Sequence, residues 1–363
     1  MHAYDIGGRE TINVYFFFLI AYSESRLIGY AMSYFHYFLT FLFELFLIAL
    51  PQPQIPTHEV GITIDATPIS AFETDNPLQH RFGALEFRGG LVLTSTNDAF
   101  GGLSALRVES DGEHFIALSD RATWLRGRIV YKGNRPVAID DAAMAPVLDD
   151  QGKPALRWDT ESITADGDTV YVGLERIHSI IRFDYGKKGI FAGGKPVAVP
   201  PEMKDLPSNQ SLEAIAYVSQ KSPLKGTLIA LSERGLTPDG NIKAFLVGGQ
   251  TPGLFSVKRT DGYDISDAAI LPCGDLLILE RQYSLDRGVS MRIRRIQATG
   301  IKPGALVDGP TIIEADARHE IDNMEALSVH RLSSGEIIIT ILSDNNLSPL
   351  QRTILLQFTF RDK

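Results

Sequence analysis

The chain has 363 residues, of which 44% are hydrophobic and 22% are charged, and its net charge is −9 at pH 7. This composition excludes a wholly disordered chain. The acidic balance argues against nucleic acid as a partner, since phosphate backbones select surfaces rich in lysine and arginine. The single cysteine, Cys273, excludes an intramolecular disulfide and a cysteine metal cluster.

The N-terminal 56 residues differ from the rest of the chain because they carry an almost continuous apolar run, Tyr34 to Leu50. This run is short for a bilayer span, which needs about twenty residues, whereas Phe38 to Ala49 has the length of the apolar core of an export signal. We therefore expect a periplasmic or secreted protein. The alternatives are an inner-membrane anchor formed by residues 34–50 and a true start at Met32. The folded domain is expected at residues 57–363.

A two-stranded unit recurs along the rest of the chain, and its clearest copy pairs Ser211–Tyr217 with Leu228–Arg234 across a turn near Pro223. Strand-like runs separated by Gly, Pro, Asp or Ser are typical of β-hairpins. Turn centres recur about every 50 to 60 residues, which is a period of propellers. The other four copies are Gly101–Val108 with Phe115–Arg121, Asp159–Ala165 with Val170–Arg176, Ile265–Leu271 with Leu276–Arg281, and Asp322–His330 with Ile337–Asn346.

Each hairpin is followed by a further strand candidate, so the sequence predicts an all-β fold with blades of three to four antiparallel strands. The last candidate, Thr353–Phe360, has no hairpin after it, and we expect it to pair with the strands at Phe82–Ser95. Such pairing would close the ring and remove its exposed edges. Five hairpins and this shared closing unit predict a β-propeller of six blades, with five or seven as alternatives.

Acidic residues mark both ends of most hairpins, at the end away from the turn. Antiparallel pairing in every blade would bring these carboxylates together near the axis of the ring. Such a cluster must bind cations, take up protons or pair with arginines, and calcium is the cation that suits many oxygen ligands in loose geometry. The candidate metal ligands are Asp120, Glu161, Glu175, Glu213, Glu233, Asp267, Glu280, Glu325 and Asp344.

Arginines stand beside the closing acid in four of the hairpins: Arg121, Arg176, Arg234 and Arg281. In one interpretation each acid and its arginine tie neighbouring blades together through charge-assisted hydrogen bonds. In the other, the carboxylates hold calcium and the arginines bind an anionic ester, so that both stabilise charge developing in the transition state. The residues identify no nucleophile or general base, because no complete catalytic motif is present.

Seven short motifs are distinctive: Phe100–Leu106, Leu118–Arg121, Asp159–Ile163, Leu212–Ile215, Leu231–Arg234, Asp322–Leu327 and Leu342–Asn346. Together they resemble the phytase-like family to which an esterase-like activity is attributed. The resemblance implies an exported bacterial β-propeller that hydrolyses phosphate or carboxylic esters. We expect this chain to act as a monomer on a small anionic ester. A non-catalytic propeller that binds a ligand or protein in the cell envelope is the alternative. Where the family carries glycine, this chain has Ala105, Ser162 and Ala326.

Overall fold

The computed structural model describes residues 55–219, 224–284 and 288–361. The predicted N-terminal apolar segment lies outside the described residues. Within these three ranges, no helix has the length and apolar character required for a membrane crossing. The described helical segments are short: α1 is Tyr185–Lys188, and three 3₁₀ turns lie at Gly189–Phe191, Pro201–Asp205 and Ala298–Gly300.

The described strands form five sheets, each built around one predicted hairpin. Four strands precede the first hairpin: β1 Val60–Gly61, β2 Asp65–Ile69, β3 Arg81–Phe82 and β4 Leu85–Thr94. Blade 1 contains β5 Leu103–Val108, β6 His114–Ser119, β7 Thr123–Lys132 and β8 Arg135–Pro146, with β1 on its outer edge. Blade 2 contains β9 Thr160–Asp166, β10 Thr169–Leu174, β11 Ser179–Asp184 and β12 Lys195–Pro196.

The remaining blades follow the same up-and-down order from the inner strand outward. Blade 3 contains β13 Leu212–Tyr217, β14 Thr227–Leu236, β15 Ile242–Gly248 and β16 Gly253–Val257, with β20 Leu306–Val307 parallel to β16. Blade 4 contains β17 Asp264–Ile270, β18 Leu276–Ser284, β19 Gly288–Ile296 and β21 Thr311–Ala315. Blade 5 contains β22 Asn323–Arg331, β23 Ile337–Asp344 and β24 Thr353–Phe360, followed by β4 and β2.

The five inner strands β5, β9, β13, β17 and β22 contact one another in turn, and β22 contacts β5 to complete the ring. Five clusters of buried apolar side chains fill the five spaces between neighbouring blades. Strands such as β23, which is rich in isoleucine, suit this role because β-branched side chains pack well on a pleated surface. The fold is therefore an all-β propeller whose core lies between the blades.

The N-terminal strand β4 and the C-terminal strand β24 close the ring, as predicted. They pair antiparallel in a register that sets Leu91 against Leu355. The prediction of six blades was wrong, because the described strands form five. The other edge of β24 pairs with β23 of the fifth hairpin, so this hairpin and the closing strands share one sheet instead of forming two.

A β-bulge interrupts the inner hairpin of every blade at the end away from its turn. The register shifts by one residue there, which leaves one extra residue on the inner strand. Bulges re-aim side chains and often border functional sites. The five bulge residues are Ser104, Glu161, Glu213, Ser266 and Glu325.

Candidate metal and anion site

Two sets of five equivalent positions lie at the bulged ends of the inner hairpins. The first set contains the bulge residues: three glutamates and two serines. The second set is the second residue after the register shift on the second strand of each hairpin. It contains four acids and one arginine: Asp120, Glu175, Glu233, Arg281 and Asp344. The repeated hairpin thus brings together seven of the nine acids predicted from the sequence.

Glu175 is common to two groups of three carboxylates within this cluster. One carboxylate oxygen from each of Asp159, Glu161 and Glu175 lies within 4.8 Å of the other two, and the same is true of Glu175, Glu213 and Glu233. The Oε1 atom of Glu175 accepts hydrogen bonds from the backbone N–H groups of Gln210 and Ser211. These bonds hold the carboxylate in place, so Glu175 can belong to both groups of three. We call the two groups the carboxylate triads.

Asp159 was not among the predicted ligands, although it opens the second hairpin in the sequence. It lies just before β9, and its backbone oxygen accepts a hydrogen bond from the Glu175 N–H. Its position opposite a predicted ligand was the available signal, because residues that pair across the end of a hairpin lie about 5 Å apart. Its carboxylate also pairs with Arg176, with Nε 2.6 Å from Oδ2.

Glu325 and Asp344 of blade 5 form the other side of the cluster with Asp120 of blade 1. Glu325 accepts a hydrogen bond from Asn323 Nδ2 at 2.6 Å, and Asp344 accepts one from the Asn346 N–H at 2.7 Å. The Oδ1 atom of Asp120 is buried and has no hydrogen-bond partner in the part of the chain that the structure describes. An unsatisfied buried carboxylate oxygen is costly unless it meets a cation, a proton or a water.

Burial and mutual repulsion raise the pKa values of these three acids. For Asp120, desolvation followed by the charges of Asp159 and Glu325 raises the pKa to about 6. Desolvation also raises the pKa of Asp344 to about 6 and that of Glu325 to about 7, and Arg281 opposes both shifts. These carboxyl groups therefore lose protons close to neutral pH.

The glutamates on the other side of the cluster are shifted in the same direction. Desolvation raises the pKa of Glu161 well above its ordinary value, and the charge of Glu213 adds to the shift. Desolvation and the neighbouring Glu233 do the same for the pKa of Glu213. The pKa of Glu233 is raised by desolvation, while Arg281 opposes the change. Without a bound cation, such a cluster holds protons; with one, it would release them.

The four predicted anion-binding arginines differ in their surroundings. Arg176 and Arg234 are exposed, and each pairs with an acid: Arg176 with Asp159, and Arg234 with the buried Asp264, whose Oδ2 is 2.7 Å from Arg234 Nε. Arg121 lies near Asp120 and lowers the pKa of that carboxyl. Arg281 instead occupies the position that holds an acid in the other four blades.

Two predicted ligands do not join the cluster. Asp267 is buried beside the bulge residue Ser266, and its carboxylate accepts hydrogen bonds from the backbone N–H groups of Ala268 (2.7 Å) and Leu327 (2.6 Å). It therefore ties blade 4 to blade 5.

Glu280 is fully buried within blade 4, where Arg292 Nε and Arg294 Nε each lie 2.7 Å from its Oε2. Asp267 and Glu280 each lie one residue away from the position that faces the cluster. In a strand, a shift of one residue turns a side chain to the other face. Asp267 and Glu280 thus belong to the structural interpretation of the acids, as joints within the fold.

Serine fills the bulge position in blades 1 and 4, and both serines join neighbouring blades. The hydroxyl of Ser104 donates to the Thr160 carbonyl oxygen at 2.6 Å, and that of Ser266 donates to the Met324 carbonyl oxygen at 3.0 Å. The same backbone position therefore serves as an interblade joint where it carries a hydroxyl, and contributes to the acidic cluster where it carries a carboxylate.

The fold and this cluster define a five-bladed β-propeller with a group of buried carboxylates at one end of its inner strands. The chain matches the family described as "Phytase-like: Esterase-like activity of phytase" over residues 98–347. It therefore belongs to this phytase-like family. A search of curated proteins finds no match.

Solved structures with similar folds include a glutaminyl cyclase from Myxococcus xanthus (9% identity, 83% of this chain and 98% of that one, TM-score 0.40). They also include a PQQ-bound aldose sugar dehydrogenase from Streptomyces coelicolor (13%, 84% and 99%, TM-score 0.37). A third is an α-L-arabinofuranosidase from Podospora anserina in complex with cellotriose (11%, 84% and 98%, TM-score 0.44). Identities and scores at this level support no inference about activity.

Proposed function

We propose that the protein is a calcium-assisted hydrolase of phosphate or other small anionic esters, with its active site at the acidic cluster. The observation that carries the proposal is the pair of carboxylate triads that share Glu175. Two carboxylates about 4 Å apart repel each other by about 4 kcal/mol at an effective dielectric constant near 20. A fold that holds several of them together therefore favours a divalent cation.

The residues present fit calcium. Every donor in the two triads is a carboxylate oxygen, and calcium accepts six to eight oxygens at flexible geometry. Glu213 is 7% exposed and has no hydrogen-bond or ion-pair partner within the described ranges. Together with the unpaired Oδ1 of Asp120, it supports the proposal that a cation completes the cluster.

In this proposal Asp159, Glu161, Glu175, Glu213 and Glu233 hold the cation. Calcium bound there would polarise an ester oxygen as a Lewis acid. The guanidinium groups of Arg121, Arg176 and Arg234 bind the anionic part of the substrate at the rim, where planar guanidinium groups suit phosphate or carboxylate. Glu325, with a pKa of about 7, is suited to accept or donate a proton at neutral pH.

The proposal extends to the setting of the protein. The apolar run at residues 34–50 favours a periplasmic or secreted protein, or one anchored in the inner membrane, and a monomeric propeller would be sufficient for the activity. The family's description names an esterase-like activity, which supports ester hydrolysis over the alternative of a non-catalytic binding propeller.

The test is hydrolysis by the full chain of phytate, p-nitrophenyl phosphate and p-nitrophenyl acetate, with calcium or with a chelator. We expect calcium-dependent turnover of at least one anionic ester. Glu175→Gln should abolish this turnover because it removes the ligand common to both triads. Glu202→Gln, a control at an exposed position, should have no effect. Calcium binding without turnover of any ester would favour the non-catalytic propeller.

A further inference from the structure

Arg281 breaks the repeat in a way that bears on how the site is regulated. At its position the other four blades carry Asp120, Glu175, Glu233 and Asp344. Blade 4 alone among the described blades presents a guanidinium group there. The protein therefore supplies one cation of its own within a group of buried acids.

The contacts of Arg281 with the acids are long. Its NH2 atom lies 3.4 Å from Glu233 Oε1 and also 3.4 Å from Glu325 Oε1, whereas good N–H···O bonds measure about 2.9 Å. Among the described residues, its one shorter contact is to a neutral group, Asn323 Oδ1, at 3.0 Å. Its Nε is buried and has no hydrogen-bond partner within the described ranges. The guanidinium group is thus held mainly by the charge around it.

Arg234 provides the contrast. It sits one position further along the hairpin of blade 3, and both its Nε and its NH2 donate to the single carboxylate of Asp264. Asp264 also pairs with Arg259, at 2.8 Å. Arg234 therefore has a fixed acidic partner outside the triads, whereas Arg281 shares carboxylates that belong to the cluster.

Glu213 gives an independent sign that the place beside Arg281 is meant for a ligand. It is more than nine-tenths buried, points into the cluster and has no bonded partner among the described residues. The charge of Arg281 acts on Glu213 without a hydrogen bond between them. A divalent cation in the second triad would take Glu213 and Glu233, and would lie close to the guanidinium group, which it would repel.

We propose that Arg281 is an internal counter-ion that competes with the divalent cation for the cluster and turns to the bound anion once the cation has entered. The proposal rests on the function proposed above and specifies its regulation. Arg281 stabilises the empty site by partly neutralising Glu213, Glu233 and Glu325. When the cation takes over that role, the guanidinium group is released to pair with the phosphate or carboxylate of a substrate. Cation and anion binding are then coupled through one side chain.

The test is calorimetric titration of the full chain with calcium chloride at pH 8, comparing the wild type with Arg281→Gln, Arg281→Lys and the control Arg126→Gln, which changes an exposed arginine paired with Glu59 on the outer part of blade 1. Removing the competing charge should tighten calcium binding in Arg281→Gln by about tenfold or more. Arg281→Lys keeps the charge, and Arg126→Gln removes a surface charge away from the cluster, so both should stay within about threefold of the wild type.

The second arm titrates inorganic phosphate into each protein with calcium at saturation. Arg281→Gln should bind phosphate at least tenfold more weakly than the wild type, although it binds calcium more tightly. Calcium binding that is unchanged or weaker in a folded Arg281→Gln protein would overturn the inference. If Arg281→Gln does not fold without calcium, calcium affinity is compared instead between Glu325→Gln and the double variant Glu325→Gln with Arg281→Gln. The double variant loses one negative and one positive charge, so the charge balance of the cluster is restored. We expect the double variant to bind calcium about tenfold more tightly than Glu325→Gln.

The outcomes also separate this inference from the proposed function. Tighter calcium binding in Arg281→Gln without ester hydrolysis by the wild type would refute the hydrolase and support the counter-ion role. Absence of calcium binding in every protein would overturn both.

Discussion

The buried acids of this propeller divide into structural and site residues, and the pair Glu280 and Glu213 tests that division. Both are buried glutamates on inner hairpins, at 0% and 7% exposure. Glu280 accepts three bonds of 2.7 Å from Arg292 and Arg294, and a longer one from Arg292 at 3.4 Å. Glu213 accepts none from the described residues. The same substitution to glutamine should therefore have opposite effects at the two positions.

Removing one partner of a buried ion pair typically costs 3–5 kcal/mol, because the other charge remains buried. For Glu280→Gln we expect the lower end, about 3 kcal/mol. Each arginine keeps one further acidic partner at the surface, Asp261 at 3.1 Å from Arg292 and Asp308 at 2.6 Å from Arg294. Glu213→Gln removes repulsion instead, so the apo protein should lose no stability and could gain about 1 kcal/mol.

The assay is urea unfolding of the full chain at pH 7 with a chelator present, followed by calcium titration of each variant. Glu280→Gln should unfold at a clearly lower urea concentration and, while folded, bind calcium like the wild type. Glu213→Gln should keep its midpoint and lose at least tenfold in calcium affinity. A Glu280→Gln protein destabilised by less than about 1 kcal/mol, or a Glu213→Gln protein destabilised by 3 kcal/mol, would refute the division.

Two further predictions concern the seam between blades 5 and 1. Burial, followed by the charge of Arg88, lowers the pKa of His330 to about 4 while Asp111 opposes the shift; the unfolded chain binds this proton near pH 6.5. Stability from the neutral imidazole is therefore lost as pH falls from about 6.5 to 4, by about 3 kcal/mol. Urea midpoints of His330→Gln and the wild type should converge toward low pH, and a pH-independent difference would contradict this. Gly102 has a φ of +60°, and a Cβ there would lie 2.6 Å from Asp120 Oδ1. Gly102→Ala should lower the unfolding free energy by about 1–3 kcal/mol and weaken calcium binding, whereas unchanged midpoint and affinity would show that neither backbone nor carboxylate is constrained.

Local patterns were sufficient to predict the hairpins and the closure of the ring. Apolar and β-branched runs interrupted by turn residues specify a hairpin over about twenty residues, and Thr353–Phe360 had no partner after it in the chain. The number of blades depended on a contact that no local pattern encodes. The strand β24 pairs with β23 on one edge and with β4, which is distant in the sequence, on the other. These two pairings join the fifth hairpin and the closing strands in one blade, so there are five blades among the described strands and not six.

The errors in blade 4 have a local cause. The sequence prediction aligned the hairpins on their acidic residues, but Asp267 and Glu280 each lie one residue away from the position that faces the cluster. Leucine marks the register more reliably than the acids do, because it packs in the core: Leu279 is equivalent to Leu231 and Leu118. When the blades are aligned on these leucines, Arg281 is equivalent to Glu233, and Ser266 is equivalent to Glu213.

The most direct test of the cation site is a crystal structure of the full chain soaked with terbium, which substitutes for calcium and scatters anomalously. We predict an anomalous peak at coordinating distance, about 2.3–2.6 Å, from the carboxylates of Glu175 and at least two of its triad partners, with Arg281 turned away from Glu233. A soaked crystal with no peak at Glu175, or with peaks only at exposed acids on the outer strands, would contradict the proposed site.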